Sequence, residues 1–150
     1  MKLPRKKYLE TILCVLLVAI VGVSFIQVLF RYLLHLSLAW SEELARYLFL
    51  WLAGLTSAYA FKTKSHFALR FLINKLGPHG QRILGSLVMG VVAIFLLLFT
   101  WKAVEYTVSV ANQTSPSMQM SMAVPYSSAV VGGILMLYYL LKNWGAERNK

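Results

Sequence analysis

The sequence predicts an all-α integral membrane protein with four transmembrane helices, and three observations carry that prediction. Of the 150 residues, 59% are hydrophobic and only 13% are charged, where soluble domains carry about 25% charged residues. The apolar residues gather into four runs, each near the roughly 20 residues that a helix needs to cross the hydrocarbon core. The basic residues lie mostly in short segments between those runs, and there is no Asp anywhere. A single four-helix membrane domain over residues 1–150 follows, with approximate spans 9–34, 41–61, 83–106 and 124–141. No room is left for a sizeable soluble domain.

Residues 1–7 form a basic leader, and Thr11 to Phe30 is then free of charge for 20 residues. A secretory signal peptide is the rival reading, because Gly22-Val23-Ser24 loosely resembles a cleavage site. The run is too long for a signal core and continues unbroken past Ser24, so a retained helix is expected. Arg31 closes it. Tyr32 to Ala39 stays apolar around His35 and Ser37, and Trp40 suits an interfacial anchor.

The second helix is expected from about Ser41, with Ser41 as N-cap and Glu42 and Glu43 in the first turn, where the helix dipole favours negative charge. A capping box is absent because position 44 is Leu. Glu42 and Arg46 are i,i+4 neighbours and Glu43 and Arg46 are i,i+3 neighbours, so both acids can reach one guanidinium. Ala53 with Ser57, and Gly54 with Ala58, are small pairs that let another helix approach closely.

Lys62, Lys64, Arg70, Lys75 and Arg82 make the following segment strongly basic. His66, Arg70 and Asn74 recur every four residues among apolar neighbours, the pattern of a short amphipathic helix on the membrane surface. Gly77-Pro78 ends it. Its cations are candidates for anionic lipid headgroups.

The third helix carries another small pair, Ser86 and Gly90, and runs on past the core, since Lys102 and Glu105 are spaced for a surface pair. Ala111 to Pro125 is the longest polar stretch, punctuated by Pro116 and Pro125, with Asn112-Gln113-Thr114 a weak glycosylation match. The fourth helix follows from about Val124 to Leu141 and contains Gly132-Gly133.

An even number of spans puts both termini on one side. On that assumption twelve of the 15 Lys and Arg residues share a side, leaving Arg31, Arg46 and Lys102 opposite. The positive-inside rule makes the crowded side cytoplasmic, with both termini there. The same scatter of cations among loops argues against nucleic acid as a partner.

Chemistry is sparse. No span has a carboxylate at its centre, where coupled transport within a membrane needs an ionisable group. Glu10 lies at the cytoplasmic end of the first helix, a poor place for proton coupling in a small exporter. Gln27 and Arg31 are i,i+4 near the outer end of that helix. His35, His66 and His79 have no ligand spacing, and the lone Cys14 excludes an intrachain disulfide and a paired-thiol oxidoreductase. No phosphate loop or nucleophile elbow is present, so the chain reads as no enzyme, without cofactor or metal. What remains is a membrane subunit that acts by packing and positioning.

Arg31-Tyr32, then Trp40-Ser41-Glu42-Glu43-Leu44-Ala45-Arg46-Tyr47, then Trp51, resembles the signature of the small membrane subunit of tripartite ATP-independent periplasmic (TRAP) transporters, the DctQ-like family. Ala58 to Phe67, with Lys62, Lys64 and His66, is similar to that family's basic turn. Ser115-Pro116-Ser117-Met118 and Ser121-Met122-Ala123-Val124-Pro125-Tyr126 are similar to its approach to helix 4. One departure is 127–130, where family members often have a second proline.

The resemblance implies a bacterial inner-membrane subunit of a sodium-coupled uptake system for an organic acid, such as a C4-dicarboxylate, sialic acid or another carboxylate. It implies a periplasmic binding protein that captures the substrate and a large membrane subunit that carries the substrate and sodium sites. The small subunit packs on the large one and helps receive the binding protein. Arg31, Trp40, Ser41, Glu42, Glu43, Arg46 and Trp51 are then the interface or structural candidates. For Glu42, Glu43 and Arg46 two roles stay open: capping with a local ion pair, or contact with a partner. A stand-alone assembly or regulatory membrane protein, or a small homo-oligomeric transporter, remain the alternatives.

Overall fold

The computed structural model describes residues 7–36, 38–63 and 78–148. Its helices are α1 (Lys7–Leu33), α2 (Ala39–Lys62), α3 (Pro78–Ser109) and α4 (Ala123–Arg148). Four helices among the described residues are long and apolar enough to cross a membrane: Tyr8–Leu33, Ala39–Lys62, Leu84–Ser109 and Ala123–Asn143. At 32 residues and 1.5 Å per residue, α3 is about 48 Å long, well over the roughly 30 Å hydrocarbon core. Its C-terminal part carries the expected pair, Lys102 Nζ to Glu105 Oε2 at 2.7 Å, both side chains exposed. The expected amphipathic helix around 66–76, and the cations Lys64, Arg70 and Lys75, lie outside the described residues.

The helices form an open chain of contacts: α1 packs on α2, α2 on α4, and α4 on α3. Heptad seams explain this. Along α1, half-buried Leu9, Leu13, Leu16, Ile20, Val23, Gln27 and Phe30 alternate steps of four and three, the spacing that keeps one stripe against a neighbour. The neighbour is α2, the helix α1 packs on. Gln27 therefore sits on the seam, while Arg31 is exposed in the last turn. On α3, Met89, Ala93, Leu96, Thr100, Ala103 and Thr107 follow the same rhythm, and buried Val110 continues it just past the helix end. The Thr100 and Thr107 hydroxyls donate to Leu96 O and Ala103 O, each at 2.7 Å, so their polar atoms are satisfied within the helix.

The central helix is α4. It crosses α2 where Gly132 meets Gly54, and a Cβ built at Gly132 would lie 2.9 Å from the Gly54 carbonyl oxygen. A Cβ at Gly54 would lie 2.7 Å from Ser128 O. The Gly54/Ala58 pair is thus a true packing face, with Ala58 fully buried. Ala53 and Ser57 are exposed instead, and Ser57 Oγ donates back to Ala53 O. Ser86 and Gly90 correct the sequence expectation: Ser86 is exposed and nothing lies within 4 Å of a Cβ on Gly90. The seam of α3 passes on its other side. Gly133 faces the Thr100 side chain, closing α4 on α3. Ala58, Leu96, Met136 and Leu140 form the core where three helices meet. Through 127–130 α4 runs unbroken without the second proline.

Polar cross-links tie the C-terminal end of α2. Tyr59 OH donates to Glu10 Oε1 at 2.7 Å, joining α2 to α1. Asn143 Nδ2 donates to Phe61 O at 2.9 Å, joining α4 to the last turn of α2.

Candidate functional site

The other end of α2 holds a polar cluster built on Glu42, Glu43, Arg46 and Tyr47. The chain leaves α1 where His35 adopts a left-handed φ of 55°, a conformation His enters more readily than most residues. Leu38 is then the N-cap, and no side chain caps the helix. Ser41 is not the N-cap that the sequence suggested. The helix starts two residues earlier, so Ser41 falls inside the first turn, fully buried, and its hydroxyl donates to Leu38 O at 2.7 Å.

The two acids part company. Glu42 lies on the exposed stripe of α2 and pairs with Arg46 at 3.1 Å, both side chains about two-thirds exposed at 65% and 68%. Such a pair contributes little to stability. Glu43 does not share that guanidinium, because one residue along a helix turns the side chain by about 100°. It faces the connection between α3 and α4 instead. Its Oε1 accepts the Tyr47 hydroxyl at 2.5 Å, and its Oε2 accepts the backbone N–H of Ser117 at 3.0 Å and of Met118 at 2.9 Å. Met122 Sδ lies 3.5 Å from the same hydroxyl.

That connection is a small hairpin. Met122 N–H donates to Gln113 O at 2.9 Å and Ser115 N–H to Met120 O at 2.8 Å. An antiparallel bridge joins Thr114 to Ser121. Pro116 has no N–H to give, and the tip turns back through Gln119, whose φ is 52°. Gln119 N–H closes the tip on Ser115 O at 3.1 Å. The N–H groups of Ser117 and Met118 are left pointing out of the turn, the kind of successive donors that together bind an anion. Glu43 is that anion. Ser115, only 2% exposed, packs beneath them.

Between the start of α2 and the hairpin lies a concavity of about 320 Å³, lined in part by Glu42, Glu43, Arg46, Tyr47, Ser117 and Tyr126. Tyr126 is held by an edge-to-face contact with Tyr106, ring centroids 4.9 Å apart. The structure thus brings Glu42, Glu43 and Arg46 together but leaves Arg31, Trp40 and Trp51 out of the lining. Trp40 is exposed, and Trp51 is half-buried two turns further along α2. Lys62 Nζ stands 5.7 Å from the Tyr59 ring centroid at the opposite end of the helix. For Arg82 only the backbone, within α3, is described.

Tyr47, Ser117, Met118 and Tyr126 belong to the stretches that carry the family resemblance but were not among the site candidates. The i,i+4 spacing of Glu43 and Tyr47 was a usable signal; for the two backbone donors none existed. Among the described residues, no group of three or more His, Cys, Asp or Glu side chains could hold a metal ion. With both oxygens of Glu43 engaged, the arrangement fastens one segment to another.

Residues 20–147 match the family model described as tripartite ATP-independent periplasmic transporters, DctQ component. A Haemophilus influenzae protein carrying the name TRAP transporter small permease protein is 31% identical over 134 residues, 87% of this chain and 81% of that one. The C4-dicarboxylate TRAP transporter small permease protein of Rhodobacter capsulatus is 28% identical over 116 residues, 76% of this chain but 51% of that one. The isethionate TRAP transporter permease protein DctMQ of Oleidesulfovibrio alaskensis is 27% identical over 139 residues, 87% of this chain and 22% of that one. The chain therefore spans about half of the second relative and about a fifth of the third.

Proposed function

This chain belongs to the DctQ component family of the TRAP transporters and is a multi-pass small permease subunit, and from that premise we propose that it packs on and stabilises a larger membrane subunit that carries the transported organic acid. One observation supports this reading above others. In the O. alaskensis permease, the counterpart of nearly all of this chain occupies about a fifth of a much longer protein. There the small unit and the rest of the permease are one polypeptide, so their association needs no separate encounter. The proposal for this chain is the same association, between a small permease subunit and a larger one.

The chemistry of the chain agrees with a supporting role. Glu43 is committed to three internal donors, Glu42 to Arg46 and Glu10 to Tyr59. In this reading the substrate and sodium sites are those of the large subunit. The substrate is a small organic anion, in line with the C4-dicarboxylate and isethionate named for the relatives. The site is the bacterial inner membrane, with both termini cytoplasmic and the Glu43 corner on the periplasmic side, where a binding protein delivers substrate. On that topology Lys62, Lys64, Arg70, Lys75 and Arg82 are the proposed ligands of anionic cytoplasmic headgroups.

Deletion of this chain in a host that depends on the system tests the proposal. Uptake is expected to be abolished and restored by the chain in trans, and the tagged chain is expected to co-purify with a larger membrane protein. Full uptake by the large subunit alone would refute it.

A further inference from the structure

We infer that Met122 is a site of oxidative modification, and that turning its thioether into the sulfoxide unfastens the hairpin between α3 and α4 from α2. The fastening is the clasp that Glu43 makes on Tyr47 and on the hairpin tip. The inference needs only that clasp and stands apart from the subunit reading above.

The first ground is position. Met122 is anchored just before α4 by its N–H, given to Gln113 O at 2.9 Å, and its sulfur lies 3.5 Å from the Tyr47 hydroxyl. It lines the concavity of about 320 Å³ between the hairpin and α2, so a small oxidant reaches it without unfolding the protein. The other methionines are placed differently. Met136 is buried in the helix core and Met89 packs against that core. Met120 is more exposed but stands outside the lining of the concavity. Among the described residues, Met122 is the methionine whose sulfur meets a hydrogen-bonding group.

The second ground is the supply of protons. Tyr47 has one O–H to give, and Glu43 Oε1 takes it at 2.5 Å. A thioether is a weak acceptor and leaves that bond alone. A sulfoxide is polar, and its oxygen accepts strongly. Carried on a sulfur 3.5 Å from the hydroxyl, that oxygen either takes the Tyr47 proton from Glu43 or stands unshared against the phenol oxygen and a carboxylate. Both outcomes disturb the bond that aligns Glu43. Its two oxygens belong to one planar group, so a displaced Oε1 carries Oε2 away from the Ser117 and Met118 N–H groups.

The step itself is a two-electron oxygen transfer from hydrogen peroxide. The sulfur lone pair attacks one peroxide oxygen. A sulfur–oxygen bond forms, the oxygen–oxygen bond breaks, and the departing oxygen leaves as water with both peroxide protons. Sulfur is oxidised and peroxide is reduced, with no further reactant. On the topology proposed above, the cluster faces away from the cytoplasm, toward the more oxidising side of the membrane. Reductases return methionine sulfoxide to the thioether, so the change is a switch and not a lesion.

The test treats the whole detergent-solubilised chain with hydrogen peroxide, removes the excess with catalase, and reads peptide masses together with amide hydrogen exchange. Met122 is expected to gain one oxygen in the folded protein, and exchange over 113–120 to quicken about tenfold in the molecules that carry it. Met122→Leu conserves volume and has no sulfur, and should lose the response to peroxide. Met120→Leu should keep it. In Glu43→Ala, where the clasp is already open, peroxide should add nothing further, because the two changes act through one contact. Met122 staying reduced while Met120 is oxidised overturns the inference, as does Met122 sulfoxide with unchanged exchange. A peroxide response that survives in Met122→Leu, or that adds in full to Glu43→Ala, overturns it too. The first two outcomes are read on the wild-type chain, so they decide the matter even where a variant fails to fold.

Discussion

Replacing Gly132 by Ala tests whether α4 is the helix that holds the others together. A Cβ at this position would lie 2.9 Å from Gly54 O, 3.1 Å from Gly54 Cα and 3.2 Å from Gly54 C. All three are backbone atoms of α2, so no side chain can swing aside. Ordinary contact begins at 3.4 Å, and α2 and α4 must part by about 0.5 Å to accept the methyl. A radial gap of 0.5–1 Å forfeits about a quarter to a half of each dispersion contact it opens. Ala58, Met136 and Leu140 sit along this crossing. Overpacking of this kind costs about 1–3 kcal/mol, and the better helix propensity of Ala returns about 0.5–1 kcal/mol. A net loss of up to about 2.5 kcal/mol lowers the midpoint by up to about 10 °C for a chain of this size. Thermal unfolding of the detergent-solubilised protein, followed by tryptophan fluorescence, reads this directly. Gly22→Ala and Gly90→Ala serve as controls, since nothing lies within 4 Å of either Cβ; their midpoints are expected to hold or rise. A Gly132→Ala midpoint equal to that of Gly90→Ala would refute the assignment of a backbone-to-backbone crossing.

Two further outcomes are expected. Glu43→Ala leaves the Tyr47 hydroxyl and the Ser117 and Met118 N–H groups without their acceptor, and amide hydrogen exchange over 113–120 should quicken more than about tenfold as the hairpin opens locally. Glu43→Gln should have a smaller effect: its carbonyl can still accept from the tip while Tyr47 reverses its hydroxyl to accept from the amide, and equal effects of Ala and Gln would contradict the clasp. A cysteine placed at position 42 in a Cys14→Ser background should react with an impermeant maleimide from outside intact spheroplasts, and labelling only after lysis would reverse the topology.

Much of this architecture was legible because membrane helices announce themselves locally. The charge-free run from Thr11 to Phe30 needed no tertiary information to be read as a span. The Lys102–Glu105 and Glu42–Arg46 pairs lie within one helical turn, and they formed as spaced. The Gly54/Ala58 pair was visible too, but nothing local distinguished it from Ser86/Gly90. The difference lies in which side of each helix meets α4, a property of the assembled protein. The Glu43 clasp was hidden for the same reason. Its donors are backbone groups 74 and 75 residues away, and backbone N–H carries no sequence signature. Ser41 misled because a serine before two acids at the head of an apolar run is the usual N-terminal signal. The helix instead begins at Ala39, and the hydroxyl turned back to Leu38 O.

The open order of packing has a consequence for how the chain is made. Once α1 and α2 have left the ribosome they can dock on each other. When α3 follows, the helix it packs on among the described residues, α4, has yet to be made. Thus α3 must wait in the bilayer, unmoored, until the last segment is translated. The final helix then closes two interfaces at once, one to each side. Joining the α1–α2 pair to α3 is therefore a late step, and a chain cut before Ala123 would leave that pair and an unpaired α3.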